Sequence, residues 1–106
     1  MKEFIICSAI WFDDGIKQPH QPINIETGIV ICGMRHHNVF TNIMLISEKC
    51  GYDKPNLFAK LEKEQGFLTN KNRFVDRIEG RQIALDADQI LDMDKLKTIL
   101  FSEDIF

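Results

Sequence analysis

Arg73, Arg77 and Arg81 recur at four-residue spacing and are the side chains best suited to chemistry in this chain. A guanidinium offers a planar fork of donors that matches phosphate. Asp76 and Glu79 lie among them, where a helix is expected to begin. Asp76 is a good N-cap, and Glu79 three residues on completes a capping-box-like pair. A cation in the first helical turn opposes the helix dipole, so a bound anion gives Arg77 a purpose there. A pyrophosphate accepting from arginine forks and first-turn amides together is the chemistry suggested. Phe67 and Phe74 flank the approach and offer rings on which a base stacks. Asn72, in the polar turn between them, offers an amide to base or sugar edges, although turn propensity explains it equally well. The competing reading pairs the arginines with Asp76, Glu79 and the acidic tail.

A second group is Arg35-His36-His37. Adjacent histidines on a helix point about 100° apart, so they cannot chelate one metal as an i, i+4 pair can. His36 shares the apolar stripe with Phe40 and reads as a core histidine, leaving Arg35 and His37 for a ligand. Catalytic signals are weaker. There is no G-x-S-x-G, P-loop or G-x-G-x-x-G. The contexts of His20 and His36 do not supply the two His-x-Thr/Ser motifs of a two-histidine phosphoesterase. Asp86, Asp88, Asp92 and Asp94 read as a solvated face. No catalytic residue, metal ligand or cofactor is expected.

These residues must be positioned by few elements. A chain of 106 residues, 44% hydrophobic and 27% charged, fits one globular domain spanning 1–106. The net charge of −3 provides no field to gather long nucleic acid. Cys7, Cys32 and Cys50 are widely spaced without a CxxC, which argues against a zinc ribbon; Cys7 and Cys32, within strand-like runs, read as buried thiols, and a reducing cytoplasm is the expected home. No apolar run reaches the roughly 18 residues of a membrane span, and no signal peptide is evident.

Lys2–Phe12 reads as a strand that is apolar on both faces, with Phe4, Ile6, Ile10 and Phe12 on one side and Ile5, Cys7, Ala9 and Trp11 on the other. Such a strand is covered twice, and a partner subunit is expected to supply the second cover. Asp13–Pro22 is a loop and Ile23–Cys32 a second strand, hairpinned to the first. Arg35–Lys49 reads as a helix, stopped by Cys50-Gly51 with Pro55 beyond. Asn56–Gln65 reads as a short amphipathic helix, and Phe67–Val75 as a tight hairpin around Asn70-Lys71-Asn72. From Asp76 to Leu91 the stripe of Gly80, Ile83, Ala84, Ala87, Ile90 and Leu91 predicts a helix. Arg77 and Arg81 flank that stripe, so replacing either is expected to spare the fold. The apolar tail Lys95–Phe106 is expected to dock.

The runs Gly66-Phe67-Leu68-Thr69, Arg73-Phe74-Val75-Asp76-Arg77, Ile83-Ala84 and Gln89 resemble a signature of the phage anti-Thoeris sponge proteins. So do Gly33-Met34-Arg35-His36-His37 and Leu100-Phe101-Ser102-Glu103-Asp104; together these pieces cover less than half of the chain. The resemblance implies sequestration of a cyclic ADP-ribose isomer, a TIR-derived defence signal, in the host cell cytoplasm.

The expectation is an α+β fold: a small antiparallel sheet with two main helices packed on it, assembled as a dimer or higher homo-oligomer. The expected activity is non-catalytic binding of a small nucleotide-like signalling ligand, with Arg35, His37, Phe67, Asn72, Arg73, Phe74, Arg77 and Arg81 around it. Neither membrane nor long nucleic acid is an expected partner. The alternatives are a hydrolase of a cyclic nucleotide signal and a protein-interaction inhibitor of a host defence enzyme.

Overall fold

A computed structural model of the protein describes residues 2–49 and 60–106. The strands are β1 (Ile5–Phe12), β2 (Ile29–Gly33), β3 (Glu62–Thr69) and β4 (Phe74–Asp76); the helices are α1 (His36–Lys49) and α2 (Arg77–Asp86). The sheet has the order β2-β1-β3-β4, with every neighbouring pair antiparallel. The expected α+β class holds, with four strands rather than a hairpin alone.

The two-sided apolar pattern of β1 follows from its central place, but the faces differ from the simple alternation. Register is broken between Ile5 and Cys7. That irregularity moves Ile5 to the helix-covered face, where it joins Phe67, Val75, Ala84, Leu100 and Ile105 in one core cluster. Gln89 stabilises the break. Its amide accepts from Ile5 N–H at 2.8 Å and donates to Ile5 O at 2.9 Å, replacing the lost ladder bonds. The second cluster, Ile10, Phe12, Val39 and Ile43, lies between β1 and α1. Phe12, Phe67 and Leu100 are almost completely buried. Each contributes on the order of 1.5–3 kcal/mol through burial.

The opposite face of β1 is covered from within the chain. The loop between β1 and β2 is longer than expected, because β2 starts at Ile29 rather than Ile23. It folds back as a strap. The Asn24 amide makes two bonds to the Phe74 backbone, accepting from N–H at 2.8 Å and donating to the carbonyl at 2.6 Å. Ile23 N–H reaches Asn72 O, the Gln21 amide caps Val30 N–H, and Trp11 Nε1 donates to Thr27 O at 2.9 Å. Trp11 meets Phe74 edge to face beneath it, with ring centroids 6.0 Å apart, and Ala9 has no exposed surface. The strap thus covers the Ala9–Trp11 part of this face from within the chain, while Cys32 on the same face stays exposed.

The Asn56–Gln65 helix is corrected in part. Lys60 and Leu61 are helical, but Glu62 begins β3. Glu62–Gln65 consists of good helix formers, and pairing along β1 overrides that weak local preference. The stop at Cys50-Gly51, Pro55 and the remainder of that helix lie outside the described residues. The hairpin is as expected, with Asn72 in the left-handed region at φ 56° and its N–H bonded to Thr69 O. The last helix is shorter than Asp76–Leu91. Asp88 turns left-handed at φ 57° and Gln89 N–H returns to Ala84 O, closing α2. The tail docks as expected: Leu100 N–H bonds Arg77 O, and Leu91 N–H bonds Asp104 O.

Candidate functional site

Asp76 caps α2 as its sequence position requires, and in doing so it occupies the expected anion site. Its carboxylate accepts from Ile78 N–H at 3.0 Å and Glu79 N–H at 2.8 Å. The first-turn amides are thus already bonded, and no pyrophosphate shares them without displacing Asp76. Glu79 does not complete the capping box. It reaches Arg73 at 2.6 Å instead.

The three arginines do not converge. Arg73 is neutralised inside the fold. It forms a two-point pair with Glu3 at 2.9 and 3.0 Å, as well as its contact with Glu79. The Arg73 guanidinium holds the Glu3 carboxyl below its ordinary range, with help from Thr69. Here the pairing alternative prevails for Arg73, with Glu3 as the unexpected partner. Arg81 donates to Lys97 O at 2.7 Å from an otherwise open face.

Arg77 is differently placed. It donates to Leu100 O at 2.8 Å and to Gln65 Oε1 at 2.9 Å, and it faces His36 Nδ1 at 3.5 Å. Its guanidinium carbon lies 5.0 Å from the centre of the Phe101 ring, which also carries Lys97 Nζ at 5.1 Å. Among the described residues no carboxylate comes within ion-pair distance of Arg77 or Arg81. Partial burial lowers the Arg77 pKa, against the more distant pull of Glu103 and Glu64. A half-buried cation held only by neutral acceptors keeps most of its charge available for an anion.

His36 is the core histidine that the sequence suggests. Nε2 lies 2.8 Å from Gly66 O, and the ring packs edge to face on Phe67 at 5.2 Å. A carbonyl only accepts, so Nε2 carries the proton; Nδ1, facing the Arg77 donor, is the bare nitrogen. Both neighbours thus select one neutral tautomer. Burial is the main cause that keeps its pKa below 6.5, the Gly66 carbonyl opposes it, and Arg77 adds to the lowering. Arg35 joins this group across α1 by donating to the Phe106 main-chain oxygen at 2.7 Å. His37 is exposed beside it.

Two expected ring platforms are corrected. Phe67 has no exposed surface and Phe74 only 6%. Both are core residues, on opposite faces of the sheet, because Phe67 pairs with Ser8 while Phe74 packs against Trp11. Phe67 presents no face to a base, and Phe74, although it lines a small cleft beside Trp11, keeps almost all of its surface buried. Asn72 serves the turn and the strap. Phe101, which carries Arg77 and Lys97, is the aromatic residue that sequence reasoning missed. Its place in the apolar tail hid it, and only the five-residue match at the chain end pointed there.

The clefts among the described residues include the following three. One of about 720 Å³ lies within the strap, lined by residues such as Lys17, His20 and Ile25. One of about 230 Å³ lies between Trp11, Lys63, Phe74 and Glu79. The third, about 390 Å³, opens beside Lys97, Glu103 and Leu91 at the edge of the Phe101 cluster. Arg35, Arg77 and Arg81 line none of the three. Among the described residues no three His, Cys, Asp or Glu side chains are grouped to hold a metal ion, and no helix is long and apolar enough to cross a membrane.

The fold and this cationic group define a small α+β protein with one mixed arginine–aromatic surface. The chain belongs to the phage T4 y16D protein family, whose family model matches residues 4–106. No curated protein and no solved structure matches it.

Proposed function

We propose that the protein binds and sequesters a small phosphorylated, base-containing ligand without cleaving it. The observation that carries this reading is Arg77, held half-buried by Leu100 O and Gln65 and stacked on Phe101, with no carboxylate within ion-pair distance among the described residues. Arg81 and Lys97 extend the positive surface along the tail, and Arg35 extends it at the start of α1, with the exposed His37 imidazole beside it. Phe101 replaces Phe67 and Phe74 as the ring for a base. The resemblance to anti-Thoeris sponge proteins makes a cyclic ADP-ribose isomer the first ligand to test, and phage evasion of a TIR-based defence in the host cytoplasm the corresponding role. Sequestration needs tight binding rather than transition-state stabilisation.

The test is incubation with cyclic nucleotides and ADP-ribose isomers, followed by filtration, heating and mass spectrometry of what is released. An intact ligand in stoichiometric amount supports the proposal. A cleaved product whose yield tracks protein concentration supports the hydrolase alternative.

The second reading, inhibition by docking on a host protein, draws on Met44, Leu45 and Ile46, which are exposed on consecutive positions of α1. The tail that suggested this role in the sequence is packed instead, with Leu100 and Ile105 buried. A stoichiometric host protein with no co-purifying small molecule favours it.

A further inference from the structure

Cys7 and Cys32 project from the strap-side face of the sheet, away from Arg77. The register of β1 with β2 sets Cys32 directly opposite Ala9. Cys7 lies two residues along β1 on the same face, so the two cysteines are diagonal cross-strand neighbours. Interaction between the two neighbouring thiols raises the Cys7 pKa, with burial adding to the rise, and lowers that of Cys32 against burial. Both are free thiols, and neither is fully buried as expected: Cys32 is exposed and Cys7 partly buried. An accessible, more acidic thiol with a protonated thiol against it is the arrangement in which one sulfur is oxidised and the other resolves it.

We propose that Cys7 and Cys32 form a reversible intrachain disulfide when a hydroperoxide oxidises the protein. The Cys32 thiolate attacks the peroxide oxygen, the O–O bond breaks, and hydroxide or alkoxide leaves with the electron pair. Cys32 is then a sulfenic acid. The Cys7 sulfur attacks it, the S–O bond breaks, and the Cys7 proton leaves with the oxygen as water. Two thiols are oxidised to one disulfide and one peroxide is reduced. Diagonal neighbours in a regular antiparallel pair lie about 7–8 Å apart at Cα, whereas disulfides usually span roughly 4.4–6.8 Å. Closing the bond therefore draws β2 against β1, and the bridge is strained and readily reduced, as labile regulatory disulfides are.

The experiment uses the full chain, treated with hydrogen peroxide, alkylated and digested with trypsin without reduction. The expected product joins the peptides Glu3–Lys17 and Gln18–Arg35, lacks two hydrogens relative to the thiol form, and disappears on treatment with dithiothreitol. In Cys7→Ser the reaction stops at a Cys32 sulfenic acid that a dimedone probe traps. In Cys32→Ser no bridge forms and Cys7 stays reduced over the same time. A bridge to Cys50, a bridge between two chains, or no loss of hydrogens in the parent protein overturns the proposal.

Discussion

Arg77→Ala removes a side chain that joins α2, β3, α1 and the tail. The guanidinium makes charge-assisted bonds to Leu100 O at 2.8 Å and Gln65 Oε1 at 2.9 Å. Bonds to charged groups are worth about 1.5–3 kcal/mol each. Stacking on Phe101 at 5.0 Å adds about 0.5–1 kcal/mol. Removing a half-buried cation returns part of this, because its desolvation is relieved and the helix dipole no longer opposes it. The net cost expected is about 2 kcal/mol, which for a domain near this size lowers Tm by about 8–16 °C. This replaces the expectation that either arginine can be lost without effect on the fold. Arg81→Ala removes one bond, to Lys97 O, from an open face, and should cost under about 1 kcal/mol. Urea unfolding of both variants, with the slopes compared, gives the difference. A Tm of Arg77→Ala within about 2 °C of the parent, or an equal loss in Arg81→Ala, would refute the reasoning about the neutral-acceptor cage. Arg77→Lys keeps the charge but not the fork, and should recover less than half of the loss.

Acid should weaken the fold in two stages. The folded pKa of His36 lies below its ordinary 6.5, so its contribution to stability is full above 6.5 and is lost as pH falls through the depressed value. Glu3, also depressed, adds a loss that starts only below 4.5. Unfolding free energies between pH 7 and 5 should slope downward in the parent and flatten in His36→Gln; an unchanged slope places the titration elsewhere. Gly66→Ala should cost about 3 kcal/mol or prevent folding, because the added methyl meets the Val75 carbonyl and the Phe74 ring; a soluble variant with parental Tm counts against that close approach. Gln89→Leu should cost about 1–3 kcal/mol, since both polar atoms of Ile5 lose their partners at the register break, and hydrogen exchange at Ile5 should rise; protection as in the parent means that another group closes the break.

Elements whose signals are local were legible in the amino-acid sequence. Asp76 as a cap, the Asn70–Asn72 turn, the α1 stripe with His36 on its buried side, and the docked tail each follow from spacing and side-chain chemistry within a few residues. The α+β class follows from them. Features that depend on distant partners were not legible. Glu62–Gln65 forms a strand because β1 needs a second neighbour, although its residues favour helix. The register break moves Ile5 to the other face, which no alternation pattern reports. Arg73 loses its anion role to Glu3, 70 positions away in the chain, while Arg77 meets Phe101 only because the tail folds back on α2. Propensity and periodicity are set by neighbours along the chain. Whether an arginine is neutralised, or a phenylalanine exposed, is set by neighbours in space, and the tertiary structure alone decides which those are.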